Sequence, residues 1–287
     1  MTFIWRNPQN KKYHEKHWFD LWIKESYNVR QLSKLSGYSE YKIKQIKNYW
    51  LSKEPPPILD YTNKAIKYLL FDGTYFHISG CCIVVIDNQS KIVVANQYVD
   101  KERYLNAYEI LNNLKEQEIY PKAITTDGHK QVTHAIAKVY PNIIIQRCLY
   151  HIQKQGLSWL RTYPKTQAGK DLKELLLTIT TIKTETEKNS FLQSFFRWNN
   201  TYKEFIENLP NDSIAMKDLK RTVSLIKRAL PDMFHYIYDK NIAQTTNIAE
   251  SFFSRLKSDF QRHRGLSEKH KVAYLKWYIY FKNNNIF

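Results

Sequence analysis

Between Lys67 and Arg147 the chain passes through three β-rich runs and then alternates helical and β patterns, an order of elements that only a layered α/β fold accommodates. Lys67 to Phe76 and Gly80 to Ile86 are rich in β-branched and aromatic residues, Asp87-Asn88-Gln89-Ser90 reads as a turn, and Lys91 to Val99 reads as a third strand. Arg103 to Glu118 carries Leu105, Tyr108, Leu111 and Leu114 at helical spacing, and Ala123 to Thr126 is a short strand. A helix from about Gly128 to Val139 is stopped by Pro141, and Asn142 to Arg147 completes the pattern β-β-β-α-β-α-β. A three-strand meander followed by right-handed crossovers puts the first strand beside the fourth.

The flanks divide the rest. Residues 1–54 read as a helical helix-turn-helix domain. Asn28 caps a helix with Gln31 three residues on, Leu32 and Leu35 face inward, Ser36-Gly37 turns, and Ser39 caps a second helix. A preceding helix around His17 to Lys24 completes the bundle. Ile43, Ile46 and Trp50 form the apolar stripe of the second helix, which leaves Lys42, Lys44 and Lys47 off it as candidate DNA contacts. Residues 55–65, beginning Pro55-Pro56-Pro57, read as a linker. Residues 66–151 form the first part of an α/β core, residues 152–240 a helical insertion punctuated by Pro164, Pro210 and Pro231, and residues 241–287 the second part of the core with C-terminal helices.

Composition narrows the partner. Lys and Arg number 44 against 27 Asp and Glu, a net charge of +17, and 21 Tyr, 14 Phe and 7 Trp are interleaved with that charge. This suits a polyanion that also offers bases for stacking, although a Lys-rich composition also follows from an AT-rich genome. Cys81, Cys82 and Cys148 are too few and too unevenly placed for a disulfide framework, no apolar run is long enough to span a membrane, and the N-terminus lacks a signal-peptide layout. The expectation is a cytoplasmic, nucleoid-associated protein with no membrane partner.

Asp72, Asp127 and Glu250 stand in the contexts Leu-Phe-Asp-Gly-Thr, Ile-Thr-Thr-Asp-Gly-His and Thr-Thr-Asn-Ile-Ala-Glu-Ser. Each has a structural reading: Asp72-Gly73 as a hairpin turn, Asp127 as a helix cap, Asn247-x-x-Glu250 as a variant capping box. Their conjunction favours chemistry. The first two end strands expected to be adjacent, and the third opens a helix after the sheet is complete. Convergent carboxylates hold divalent ions that clamp the attacking and leaving oxygens of a phosphoryl displacement. On the late helix, Ala249, Phe253, Leu256 and Phe260 form a buried stripe, while Ser254, Lys257 and Gln261 share the face of Glu250 and could lie along DNA. Asn247, one turn before Glu250, either orients the carboxylate, touches the scissile strand or caps the helix. Cys148 and His151 offer only two ligands where structural zinc needs four, and His129 and His134 read as surface or capping residues.

Phe-Asp-Gly-Thr at 71–74, Thr-Thr-Asp-Gly-His at 125–129, Arg-Cys-Leu-Tyr-His at 147–151 and Thr-Thr-Asn-Ile-Ala-Glu-Ser at 245–251 together resemble Mutator-like bacterial insertion-sequence transposases of the DDE type, from about residue 67 to 265. The resemblance implies an RNase H-like mixed five-stranded sheet with flanking helices, an all-helical insertion and an N-terminal helix-turn-helix. It implies catalytic, metal-binding Asp72, Asp127 and Glu250, an auxiliary pair Cys148 and His151, and two Mg²⁺ ions for which Mn²⁺ can substitute. The expected partners are double-stranded DNA, both element ends and target, in a homodimer or larger assembly. The expected activity is metal-dependent cleavage and strand transfer; a DNA-binding regulator that has lost cleavage, and a nuclease of the same fold that cuts without joining, are the alternatives. Many relatives carry a longer N-terminal region, sometimes with a zinc module, so the resemblance leaves open a shortened member or part of an element whose product is incomplete.

Overall fold

A computed structural model describes residues 8–56, 66–76, 80–208, 214–263 and 265–284. Most of the expected linker, residues 57–65, lies outside the described residues. In chain order the elements are α1 (Pro8–Lys24), α2 (Val29–Ser36), α3 (Glu40–Leu51), β1 (Tyr68–Tyr75), β2 (Cys81–Asp87), β3 (Val93–Val99), α4 (Tyr104–Glu116), β4 (Ala123–Thr126), α5 (Lys130–Val139), β5 (Ile144–Arg147), α6 (Leu149–Leu160), α7 (Gln167–Thr178), α8 (Glu185–Glu207), α9 (Ile214–Ala229), α10 (His235–Tyr238), α11 (Asn247–Gln261) and α12 (Glu268–Asn283). They fall into two compact units: one gathers Met1–Asn63, Thr74–Cys82 and Glu250–Phe287, the other Lys64–Gly73 and Ile83–Ala249.

In the first unit, local chemistry sets the α1–α2–α3 geometry. Asn28 Oδ1 accepts the Gln31 N–H and Gln31 Oε1 accepts the Asn28 N–H, both at 2.9 Å, so α2 starts on a complete capping box. Gly37 ends α2 in the left-handed region at φ 72°, and the Ser39 side chain accepts the Lys42 N–H to start α3. Leu32, Ile43, Ile46 and Leu51 are buried as their spacing requires, but Leu35, expected inside, is 59% exposed because the two-turn α2 buries only Leu32. The aromatic α12 closes this unit. Trp277 packs edge-on against Phe19 and Trp50, and its indole N–H donates to the carbonyls of Trp50 and Lys53.

The five strands form one sheet in the order β3-β2-β1-β4-β5, with β1, β4 and β5 parallel, as the meander and crossovers predict. Asp72-Gly73 makes no hairpin turn; both residues lie within β1. Every residue of β2 is buried, including the adjacent Cys81 and Cys82, so both faces of this strand are covered, and all three cysteines are free thiols. Helix α4 turns Ala107, Ile110, Leu111 and Leu114 inward, whereas Leu105, which the sequence put on that stripe, lies off this face and is exposed. Helices α6 to α10 share a core with the strands of the second unit: Tyr68 and Ala123 join Leu149, Leu172, Phe195, Ile226 and Met233 in one buried cluster. Gln146 locks that junction, its side-chain amide donating 2.7 Å to the Met233 carbonyl.

Candidate active site

Register builds the site. Phe71 pairs with Thr126 across β1 and β4, and Thr126 pairs with Arg147 across β4 and β5. The next residues along these parallel strands, Asp72, Asp127 and Cys148, therefore form one row, with Asp127 and Cys148 just past the carboxyl ends of β4 and β5 and Asp72 inside β1, which runs on to Tyr75; ligands bind on this carboxyl side in open α/β sheets. Asp72 is 8% exposed, with one oxygen accepting the Gly73 N–H at 2.9 Å. Asp127 Oδ1 accepts the His129 N–H at 2.7 Å, which steadies the carboxylate just ahead of α5. His129 stands at the N-cap position of α5 with no side-chain capping bond, and His134 is exposed on that helix.

Sequence reasoning gave no role to Arg147 or Gly128, yet they shape the Asp127 loop. Gly128 has φ +79°, and the Arg147 side chain lies so close over it that a Cβ would stand 1.7 Å from Nε. Arg147 Nη2 donates to the Asp127 carbonyl at 3.0 Å. Burial lowers the Arg147 pKa, and the charges of Asp127 and Asp232 work against that shift. An arginine closing the short strand Ile144–Arg147, directly before Cys148, was the available signal. Glu102, just before α4, was also missed and had no signal of its own: burial, and then the charge of Asp127, push its carboxyl up to about 7.

The Cys148 and His151 pair acts as a tether. Thr246 donates its N–H to Cys148 Sγ at 3.3 Å, and its hydroxyl lies 3.5 Å from Cys148 Sγ and 3.4 Å from His151 Nδ1. Two further bonds hold the same segment, from Leu149 N–H to the Gln244 carbonyl and from the Thr125 hydroxyl to the Ala243 carbonyl. The segment leading into α11 is thus fixed to the ends of β4 and β5. Burial raises the Cys148 pKa, so the thiol stays protonated, with the neighbouring hydrogen bonds opposing and the Asp72 charge adding. Asn247 is the first, exposed residue of α11, and Glu250 lies in its first turn. Glu250 begins the part of the helix assigned to the first unit, where Phe252, Phe253 and Leu256 are buried.

Of the three lysines expected to stand free on α3, only Lys44 is exposed. Lys42 Nζ pairs at 2.7 Å with Glu15, which is buried on α1, and Lys47 is half-buried with its amine 5.5 Å from the Trp22 ring centroid. Burial lowers the Lys47 pKa, with the charge of Lys44 adding to the shift. Lys257 holds its amine 5.9 Å from the Phe76 ring centroid.

Among the described residues no group of three or more His, Cys, Asp and Glu side chains is arranged to hold a metal ion. The donors of the row fit part of a hard cation's ligand set. Asp72 and Asp127 offer carboxylate oxygen, while the soft Cys148 Sγ is already engaged by Thr246.

Residues 68–155 match the MULE transposase domain, a span that covers β1 to β5 and most of α6. A search of curated proteins returns no match. Among solved structures, the chain aligns with one in a cryoEM structure of the simian T-cell lymphotropic virus intasome in complex with PP2A regulatory subunit B56 gamma, at 14% identity and a TM-score of 0.24, over 70% of this chain and 66% of that one. The region holding the Asp72–Asp127–Cys148 row is thus similar to a transposase domain, and among the described residues no helix is long and apolar enough to cross a membrane.

Proposed function

We propose that the protein is a DNA transposase of the DDE type, from a Mutator-like insertion sequence, which binds the terminal inverted repeats of its element and catalyses metal-dependent cleavage and strand transfer. The observation that carries this reading is the pair of carboxylates, Asp72 and Asp127, in one row across the adjacent parallel strands β1 and β4, inside the segment that matches the MULE transposase domain. Glu250, from the Thr-Thr-Asn-Ile-Ala-Glu-Ser motif, is the third ligand. Two Mg²⁺ ions, or Mn²⁺ in their stead, supply Lewis acidity to the attacking and leaving oxygens when bound. The chain's own part is positional. The ladder fixes Asp72 and Asp127, Arg147 holds the Asp127 backbone, and Cys148 and His151 hold the Thr246 segment that leads to Asn247 and Glu250. No covalent enzyme intermediate is required. Because transposition joins two DNA ends, the working form is a homodimer or larger.

A strand-transfer assay tests this with labelled duplexes taken from the DNA flanking the gene, in Mg²⁺ and in Mn²⁺. The full chain is expected to cut and then join them. Asp72→Asn, Asp127→Asn and Glu250→Gln are each expected to lower cleavage on the order of 100-fold or more while changing duplex affinity little, since a ligand contributes several kcal/mol of transition-state stabilisation. Cutting without joining would identify a nuclease, and binding with neither would identify a regulator.

A further inference from the structure

We propose that Tyr41, Lys44, Gln45 and Asn48 on α3 form a major-groove reading face, with Gln45 and Asn48 selecting adenine-bearing base pairs. This rests on the DNA-binding part of the proposed function and adds which residues read sequence and which base they choose. The inner side of α3 is accounted for: Ile43, Ile46 and Leu51 are buried, and Trp50 stacks on Phe19 of α1. Its flanks are accounted for as well, because Lys42 is paired with Glu15 and Lys47 lies against Trp22. What points away is the stripe Tyr41, Lys44, Gln45 and Asn48, at spacing i, i+3, i+4, i+7, all exposed, with Tyr41 at 72%.

The occupant follows from charge, shape and hydrogen-bonding pattern. Residues 8–53 contain ten Lys and Arg against four Asp and Glu, and Arg30 and Lys34 of α2 are exposed as phosphate contacts beside α3. A helix about 10–12 Å across enters a major groove about 12 Å wide. Each carboxamide offers an acceptor and a donor in one plane. That pattern complements the N6 amino group and N7 of adenine, whereas guanine presents two acceptors and calls for a cation. Gln45 and Asn48 are one turn apart on the same face, so they can address neighbouring base pairs. Lys44 beside them is available to a guanine or to phosphate, and the Tyr41 ring is available to a thymine methyl.

The test uses the full chain and a library of random-sequence DNA duplexes, sorted by repeated binding at fixed salt. The wild type is expected to enrich a motif containing adenines. The Gln45→Ala/Asn48→Ala pair, at two exposed positions and so expected to keep the wild-type melting temperature, is expected to lose the preference at those positions by about tenfold or more. Placing 7-deaza-adenine at the same positions, which deletes the N7 acceptor, is expected to weaken the wild type several-fold and leave the double variant unaffected. A motif that survives the double substitution, with the deaza effect intact, would overturn the assignment of this face alone. Failure of the wild type to retain any duplex would remove the DNA-binding reading itself.

Discussion

At Gly128 two constraints coincide: a positive φ of 79°, and the Arg147 guanidinium filling the space where a side chain would begin. The positive φ alone costs a non-glycine residue about 1 kcal/mol. Displacing Arg147 adds to this, since its side chain would lose both its packing and its bond to the Asp127 carbonyl. Gly128→Ala is therefore expected to destabilise the fold by about 2–3 kcal/mol in the wild-type background, but only about 1 kcal/mol when Arg147 is already Ala. Urea unfolding of the four proteins of this cycle measures the coupling. Equal costs in both backgrounds would mean that Arg147 moves aside freely and does not fix the loop that carries Asp127.

In the first unit, the turn that follows α11 provides a titrating contact. His263 is buried, its ring 4.3 Å from Trp22 of α1 and 5.2 Å from Tyr274 of α12, with Lys47 and Arg262 adding positive charge nearby. Burial, then Lys47, lower its pKa from 6.5 to about 4, against a backbone hydrogen bond with Trp22. The unfolded chain therefore takes up a proton as pH falls through 6.5 and the folded chain does not until about 4, so stability is lost across that window and levels off below it. His263→Phe is expected to flatten the fall in melting temperature between pH 6.5 and 4 relative to wild type. Identical slopes for the two proteins would show that His263 is not held neutral. Such contacts were not legible in the sequence, because they join helices distant along the chain. What was legible is local. The Asn28–Gln31 box, the Ser39 cap and the short strand Ala123–Thr126 are written within a few residues each and appear where expected. The dipeptide Asp72-Gly73 also admits a hairpin turn, but both residues lie inside β1, as the β-rich run Lys67 to Phe76 predicts.

Across the whole molecule, topology made Asp72 and Asp127 legible: once the first strand was set beside the fourth, their row followed from register. Arg147, Glu102 and the Thr246 tether were hidden because each acts through a partner on another element. The net charge of +17 was legible too, but its distribution was not, since pairing with Glu15 and packing on Trp22 take Lys42 and Lys47 inward. The difference has a measurable consequence. A lysine that contacts phosphate releases about one counterion, so removing it lowers the slope of log affinity against log salt by about 0.9, whereas a lysine engaged inside the protein leaves the slope unchanged. Lys44→Gln is expected to reduce the slope by about one unit without changing the melting temperature. Lys42→Gln should do the reverse, keeping the slope and lowering stability by about 1–3 kcal/mol, because it leaves the buried Glu15 carboxylate with a weakened set of partners. Titration of duplex affinity over a range of salt, alongside thermal unfolding of each variant, separates the two lysines. A slope that falls for Lys42→Gln and holds for Lys44→Gln would turn α3 around and put its DNA-facing side on the opposite face.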